Sequence, residues 1–343
     1  MDRRDFLKTT SAAAVAAGAA SPSATATATE VPQNLPAIQS GSRQLTLATY
    51  SRDLPGSGAD RLARRIEIAT DGRYSIELVN DPCADLTYGS AGRHANLHRA
   101  FAVFAGLPFS QSLDAAALQT WLAVGGGAML WDELAAEHGF KPLIAGHTGP
   151  SLGVWAAARL ETPSDLVGAS LHVEGLAGDI LRDLGATPAK FTPEDLRAAL
   201  ADGRLQAAEW LWPLAAVAPD LQPMAQRLYQ PGFNRHGQLL SLSIAKPVWD
   251  GMSPADQAIF EACAIEAYHL SLTDARAYAL IASQVETPAK WPVRLTWPSG
   301  MAAALDRAAA EAVERVAATD PASRRIHDSY QAFRRMLGEP ATA

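Results

Sequence analysis

The sequence has 343 residues, a formal net charge of −7 and 48% hydrophobic residues. Lysine and arginine form no run outside the N-terminus, which argues against a nucleic acid as a partner. The two cysteines, Cys83 and Cys263, have no C-x-x-C or other zinc spacing and do not make a disulfide framework. We favour two unpaired residues, and a disulfide between them is left open.

The N-terminus resembles a twin-arginine export signal. Arg3-Arg4 is followed by an acidic residue, Phe, Leu and Lys, and then by an alanine-rich stretch over Thr9–Ala20. That stretch is too short and too weakly apolar to span a bilayer, which takes about 20 apolar residues. A-x-A patterns such as Ala26-Thr27-Ala28 are typical of a cleavage site. We therefore predict a signal peptide over residues 1–28 and a periplasmic mature protein.

The first part of the mature chain predicts a parallel β-α-β unit. Alternation predicts strands over Gln44–Tyr50 and Tyr74–Val79, and helical spacing predicts a helix over Ala59–Ala69 between them. Residues 80–100 are polar and irregular, and no element is predicted there. Two helices follow, over Leu113–Val124 and Ala128–His138. The segment Val154–Arg159 fits either a strand or a helix.

A second series of strands and helices follows. Strands are predicted over Ser170–Val173 and Leu205–Trp210, and helices over Leu176–Leu184 and after Thr192, whose neighbour Pro193 suits a first helical position. The remaining predicted elements are strands at Leu239–Ala245 and Val293–Trp297, a long helix after Ser253, and helices over 299–318 and 321–337.

This order predicts an α/β fold with two lobes and long C-terminal helices. We assign lobe 1 to residues 44–150, lobe 2 to residues 151–245, and a helical part packing on both lobes to residues 246–340. Two α/β lobes with a cleft between them are suited to gripping a small solute by hinge closure.

The segment Gly149–Gly153 fits the G-x-S-x-G pattern of a serine hydrolase. Ser151 would then be the nucleophile, or Thr148 if the pattern is shifted, with Asp220, His236 and His269 available downstream as acid and base. Pro150 restricts the backbone directly before Ser151, which opposes the strained turn that a nucleophile needs. A glycine-rich loop lining a cleft is the alternative interpretation, and the one we favour.

A carboxylate stands among apolar and aromatic residues in the segment Ala207–Pro213. Burial of Glu209 is costly without a cation or hydrogen-bond donors, so it either reaches solvent or meets a cation in a cleft. The neighbouring Trp210 and Trp212 indicate a cleft wall.

The chain resembles the periplasmic solute receptors of tripartite ATP-independent periplasmic (TRAP) transporters, in the branch that binds α-keto acids. The resemblance extends from about residue 44 to residue 335. Its segments include GLPFSQSLDAAALQTWLAVGGG from Gly106, DLVGASLHVEGLAGDILRDLGATP from Asp165, and YQPGF from Tyr229. It implies a type II-like periplasmic binding protein fold. The family's glutamate–tryptophan pair, which holds a sodium ion bridging ligand and protein, matches Glu209 and Trp210.

The other site positions of the family are less well preserved. Trp155 matches the tryptophan of the family's GGW motif, while Ser151 stands at the position of a ligand-contacting glutamine. His172 stands where the family has the arginine that holds the ligand carboxylate, and Arg235 replaces a late glutamate. Since Arg235 changes the charge beside the cation position, we expect weak or absent sodium dependence. Lobe 1 is also shorter than the family pattern around residues 80–98.

The sequence therefore predicts a receptor that binds a small organic acid or related solute and delivers it to a TRAP-type membrane permease, with no catalytic turnover. Two alternatives stay open at this point. One is a secreted hydrolase that uses the Gly149–Gly153 loop, and the other is a sensor with the receptor fold that does not transport. A homodimer is also left open.

Overall fold

The computed structural model describes residues 42–49, 58–81, 83–173, 175–209, 225–285 and 293–338. The strands are β1 (Arg43–Thr49), β2 (Tyr74–Val79), β3 (Leu86–Ser90), β4 (Phe140–His147), β5 (Val154–Ala156), β6 (Ser170–His172), β7 (Thr187–Ala189), β8 (Ala207–Glu209), β9 (Arg227–Gln230), β10 (Leu239–Ala245) and β11 (Val293–Thr296). The α-helices are α1 (Gly58–Ala69), α2 (Phe101–Ala105), α3 (Ala115–Ala123), α4 (Gly127–Glu137), α5 (Leu176–Asp183), α6 (Pro193–Ala201), α7 (Lys246–Asp250), α8 (Pro254–Val285), α9 (Ser299–Ala317) and α10 (Pro321–Met336). Among these described helices, none has the length and apolar character that crossing a bilayer requires.

The first sheet confirms the predicted β-α-β unit. Its strand order is β2-β1-β3-β10-β4, with β1 parallel to β2 and β3, and β10 antiparallel to β3 and β4. The apolar face of α1 packs through Leu62 and Ile66 into a core that also contains Phe260 of α8. The long helix α8 therefore covers this sheet together with α1.

The second sheet is also mixed, in the order β11-β9-β5-β8-β6-β7. Strands β6, β7 and β8 run parallel, whereas β5 is antiparallel to both of its neighbours, β8 and β9. Helix α6 begins as predicted, because the Thr192 hydroxyl accepts a hydrogen bond from the Asp195 N–H at 3.2 Å and Pro193 occupies the first turn. The fold is thus the two-sheet α/β architecture that the sequence predicts.

Three predictions of local structure differ from the observed fold. Leu239–Ala245, which the sequence analysis assigns to lobe 2, lies between β3 and β4 in the first sheet. Val293–Thr296, assigned to the C-terminal helical part, is an edge strand of the second sheet. Residues 80–100 contain β3, in which Leu86 and Tyr88 are buried, so this segment is not irregular throughout. The other boundaries of the predicted lobes stay a prediction.

Two connections run side by side between the sheets: residues 148–153 lead from β4 to β5, and residues 231–238 lead from β9 to β10. The Thr148 N–H donates to the Gln238 carbonyl oxygen at 2.9 Å, and the Gln238 N–H donates to the Thr148 hydroxyl at 2.9 Å. Gly237 has a φ of 82°, and a Cβ there would collide with the Gly149 carbonyl oxygen. The close approach of the two connections therefore requires glycine at this position.

Candidate functional site

The carboxylate of Glu209 is the centre of a buried polar cluster between the two sheets. Glu209 is 1% exposed. Its Oε1 accepts hydrogen bonds from the Ser151 hydroxyl at 2.7 Å and from the Asn234 backbone N–H at 3.0 Å. Its Oε2 accepts from the Asn234 side-chain amide at 2.8 Å and from the same backbone N–H at 3.1 Å. The carboxylate thus joins both connections to the second sheet.

Three elements bring these groups together. Glu209 is the last residue of β8, while Ser151 lies in the connection from β4 to β5 and Asn234 in the connection from β9 to β10. Gly232 makes room for the cluster, because a Cβ at this position would overlap the Ser151 hydroxyl and the Glu209 carboxylate. The site therefore lies where the chain passes between the sheets, as expected for a solute site in a two-lobed protein.

Aromatic packing holds the second connection in place. The ring of Trp297 stacks on Tyr229 with centroids 4.5 Å apart and on Phe233 at 5.5 Å. The Trp297 indole N–H also donates to the Pro231 carbonyl oxygen at 2.7 Å. These contacts involve the conspicuous residues of the YQPGF segment, and they fix the backbone that immediately precedes Asn234.

The burial of Glu209 is explained by its donors. From the sequence, this carboxylate is expected either to reach solvent or to meet a cation in a cleft. Its near-complete burial excludes contact with solvent. The hydroxyl and N–H groups of Ser151 and Asn234 compensate for the lost hydration, since charge-assisted hydrogen bonds are about twice as strong as neutral ones.

Asn234 is a member of the Glu209 cluster to which no sequence motif points. Its side-chain Oδ1 accepts a hydrogen bond from the Gln238 amide at 3.5 Å, so Gln238 lies behind it in the same cluster. Both residues are buried. Its place in the sequence could have pointed to it, because Asn234 directly precedes Arg235, the residue that the resemblance matches to a glutamate.

Arg235 is exposed, and its backbone carbonyl accepts a hydrogen bond from the Ser151 N–H at 3.3 Å. Its main chain therefore belongs to the contact between the two connections. The anion-pairing role expected of its guanidinium stays a prediction.

Trp155 and His172 lie on the opposite face of the second sheet from Glu209. Directly paired residues of neighbouring strands point to the same side of a sheet, and Glu209 pairs with Val154, whereas Trp155 and His172 both pair with Ala208. Trp155 packs instead in a small apolar cluster with Leu228. A solute contact from Trp155 or His172 stays a prediction, and Trp210 and Trp212 lie outside the described residues.

His172 is a buried and neutral residue in this fold. Burial lowers its pKa to about 4, and its Nδ1 accepts a hydrogen bond from the Phe191 N–H at 3.2 Å. The ring therefore does not carry the permanent charge of the arginine that the resemblance places at this position.

The sequence model of the DctP family, described as bacterial extracellular solute-binding protein family 7, matches residues 68–287 of the chain. The matched segment contains most of both sheets, both connections and the Glu209 cluster. The chain belongs to this family.

Individual relatives of this DctP-family chain can be aligned with it over most of its length. A monocarboxylate 2-oxoacid-binding periplasmic protein from Nostoc sp. is 24% identical over 357 residues, covering 98% of this chain and 95% of the relative. A TRAP solute-binding protein from Bordetella bronchiseptica, solved with calcium and picolinate, has a TM-score of 0.78 and 22% identity over 87% of this chain and 93% of that one. One from Pseudoalteromonas atlantica, solved with sodium and pyruvate, has a TM-score of 0.78 and 21% identity over 87% and 95%. The two-lobed fold predicted from the sequence is thereby confirmed.

The G-x-S-x-G segment of this DctP-family chain does not form a nucleophile elbow. An elbow places its serine on a sharp turn between a strand and a helix. Ser151 instead lies between two strands, β4 and β5, and its hydroxyl donates to a carboxylate rather than to a histidine. Thr148 is buried and its hydroxyl accepts from the Gln238 N–H, so it is part of the contact between the connections.

A groove of about 350 Å³ lies on another part of the surface, and Glu209, Ser151 and Asn234 do not line it. Exposed ion pairs form its walls, among them Arg99 with Asp179 at 2.8 Å and Arg182 with Asp179 at 2.6 Å. Exposed pairs of this kind contribute little to stability.

Proposed function

We propose that this chain is the periplasmic receptor of a TRAP transporter, that its solute is a small organic acid, and that it presents the solute to a membrane permease. The observation that carries the proposal is the family match over residues 68–287, which includes the buried Glu209 cluster between the sheets. The relative from Nostoc is named for 2-oxoacids, and a neighbouring structure holds pyruvate. A monocarboxylate with a 2-oxo group is therefore the first class to test.

The decisive experiment measures binding to the purified mature protein. Mass spectrometry of small molecules released on denaturation is combined with calorimetric titration of pyruvate, longer 2-oxo acids, malonate and picolinate. Each acid is paired with its uncharged methyl ester as a matched control. We expect at least one acid to bind, with its ester at least about ten-fold weaker, a difference of about 1.4 kcal/mol. Absence of any released acid together with absence of binding across the panel would refute the proposal.

Export by the twin-arginine pathway is part of the same proposal. Changing Arg3-Arg4 to a pair of lysines should leave unprocessed protein in the cytoplasm, because the signal depends on the arginine pair. Normal periplasmic delivery of this variant, with the translocase intact, would contradict the proposed route.

We further propose that the receptor has no hydrolytic turnover. The Ser151 hydroxyl is directed to Glu209, so Ser151→Ala should weaken solute binding, and neither the wild type nor this variant should hydrolyse ester substrates. Turnover of ester substrates by the wild-type protein that disappears in Ser151→Ala would favour the hydrolase instead.

A further inference from the structure

Two of the neighbouring structures hold a metal cation together with their carboxylate ligand, sodium in one and calcium in the other. The residues around Glu209 do not fit such a cation. We propose that this receptor binds its solute without a bridging metal ion, because Asn234 occupies the positions on the Glu209 carboxylate that a cation would use. This inference rests on the proposed receptor function.

Hydrogen-bond donors surround both oxygens of the Glu209 carboxylate. Each carboxylate oxygen offers about two lone-pair positions. Oε1 accepts from the Ser151 hydroxyl and the Asn234 N–H, and Oε2 accepts from the same N–H and from the Asn234 side-chain amide. The Asn234 N–H is shared between both oxygens, so three donors surround the carboxylate, and a cation that approaches either oxygen would compete with them in a site that is 1% exposed.

The atom of Asn234 that faces Oε2 of Glu209 is a donor and not an acceptor. Calcium takes about six to eight oxygen ligands, and a sodium site likewise needs acceptors. Asn234 presents its amide NH₂ to Oε2 at 2.8 Å, and an N–H group repels a cation.

The hydrogen-bond network sets this orientation of the amide. The Gln238 amide donates to the Asn234 Oδ1, and reversing the Asn234 amide would place two acceptors face to face at Glu209 and two donors face to face at Gln238.

The charged residues of the chain also disfavour a cation at Glu209. Within the part of the chain that the structure describes, no group of three or more His, Cys, Asp or Glu side chains is arranged to hold a metal. At the position that the resemblance gives to a second glutamate stands Arg235. Among the described residues Glu209 is therefore not part of a group of three or more such side chains that could hold a cation.

The experiment compares the wild type with Asn234→Asp, a nearly isosteric change that places a second carboxylate against Glu209. Two carboxylates at hydrogen-bond distance require a cation or a proton between them. We expect Ca²⁺ or Na⁺ to raise the Tm of Asn234→Asp by several degrees at neutral pH, and to leave the Tm of the wild type unchanged. Asn96→Asp, which adds the same charge at an exposed position, is the control and should behave like the wild type.

Pyruvate binding is then titrated into the wild type in a chelated choline buffer and again with Na⁺ or Ca²⁺. We expect the two Kd values to agree within about two-fold, whereas a change of about ten-fold or more would overturn the inference. A cation-dependent Tm of the wild type, or no cation response in a folded Asn234→Asp, would overturn it equally. If Asn234→Asp does not fold, the wild-type titrations decide alone. Absence of binding by every acid under all cation conditions would instead count against the proposed function, while the cation titration of Tm still tests the inference.

Discussion

Replacing Gly232 with alanine would test whether the Glu209 cluster depends on the close approach of the two connections. Gly232 does not have a positive φ, so alanine can adopt its backbone conformation. The added methyl group would overlap the Ser151 hydroxyl and the Glu209 carboxylate, and would lie 2.8 Å from the Ser151 Cβ. The substitution therefore acts on the site rather than on the backbone.

The expected loss follows from the hydrogen bonds that must move. A hydrogen bond to a charged group contributes about 1.5–3 kcal/mol, and a buried carboxylate that loses a donor retains its desolvation penalty. We expect Gly232→Ala to lower the free energy of unfolding by about 3 kcal/mol. An unfolding entropy of about 2.1 cal/mol/K per residue makes about 0.7 kcal/mol/K for a chain of 343 residues, so this loss corresponds to a fall in Tm of about 4–5 °C.

Thermal unfolding followed by circular dichroism measures this loss, and calorimetric titration measures the accompanying loss of solute affinity. Gly300→Ala is the matched control, because Gly300 lies in α9 with nothing within 4 Å of an added Cβ. It should leave the free energy of unfolding within about 1 kcal/mol of the wild type. A Gly232→Ala variant with wild-type Tm and affinity would refute the assignment of this cluster as the site.

Three further outcomes are expected. Gly237→Ala should lower Tm more than Gly232→Ala does, because its φ is 82° and the added Cβ would collide with the Gly149 backbone; an equal or smaller fall would argue against a tight crossing. Burial lowers the pKa of His172 to about 4, so the folded protein holds the ring neutral at pH values where the unfolded chain protonates it. The stability that depends on the neutral ring is complete above the unfolded pKa of ~6.5 and is lost as the pH falls toward 4. His172→Gln should therefore reduce the acid-induced loss of stability by about 2 kcal/mol near pH ~5, measured by denaturant unfolding at several pH values, and an unchanged pH profile would contradict this reasoning. Maleimide should label the exposed Cys83 in the native protein and the buried Cys263 only after unfolding, and rapid native labelling of both would contradict the packing described.

Most local elements could be predicted because their signals lie within one segment. The alternation of Tyr74–Val79 predicts a strand with the bounds that the structure has, and the strand predicted at Leu239–Ala245 also has those bounds. The Thr192-Pro193 pair likewise marks the start of α6. The sequence analysis assigns no strand to β3, β4, β7 or β9, and β7 and β9, with three and four residues, are too short for a periodicity to appear.

The site was only partly predictable for a different reason. Glu209 and Ser151 were identified from the sequence, and their side chains are joined at 2.7 Å although 58 positions separate them. Asn234 was missed because an amide in a loop carries no pattern of its own. Its role depends on the Gly232 backbone and on Trp297, which packs against the same connection from a later part of the chain.

Periodicity, helix caps and ordered motifs are enough to predict the two-lobed α/β class, most helices and strands, and the resemblance to TRAP solute receptors. The sheet that receives β10 and β11, and the side chains that surround the Glu209 carboxylate, become visible in the folded chain alone, because strand pairing and sheet register join distant segments. Trp155 and His172 pair with Ala208, the residue directly before Glu209 in β8. Because successive side chains of a strand point to opposite faces, Glu209 lies on the other face of the sheet from Trp155 and His172.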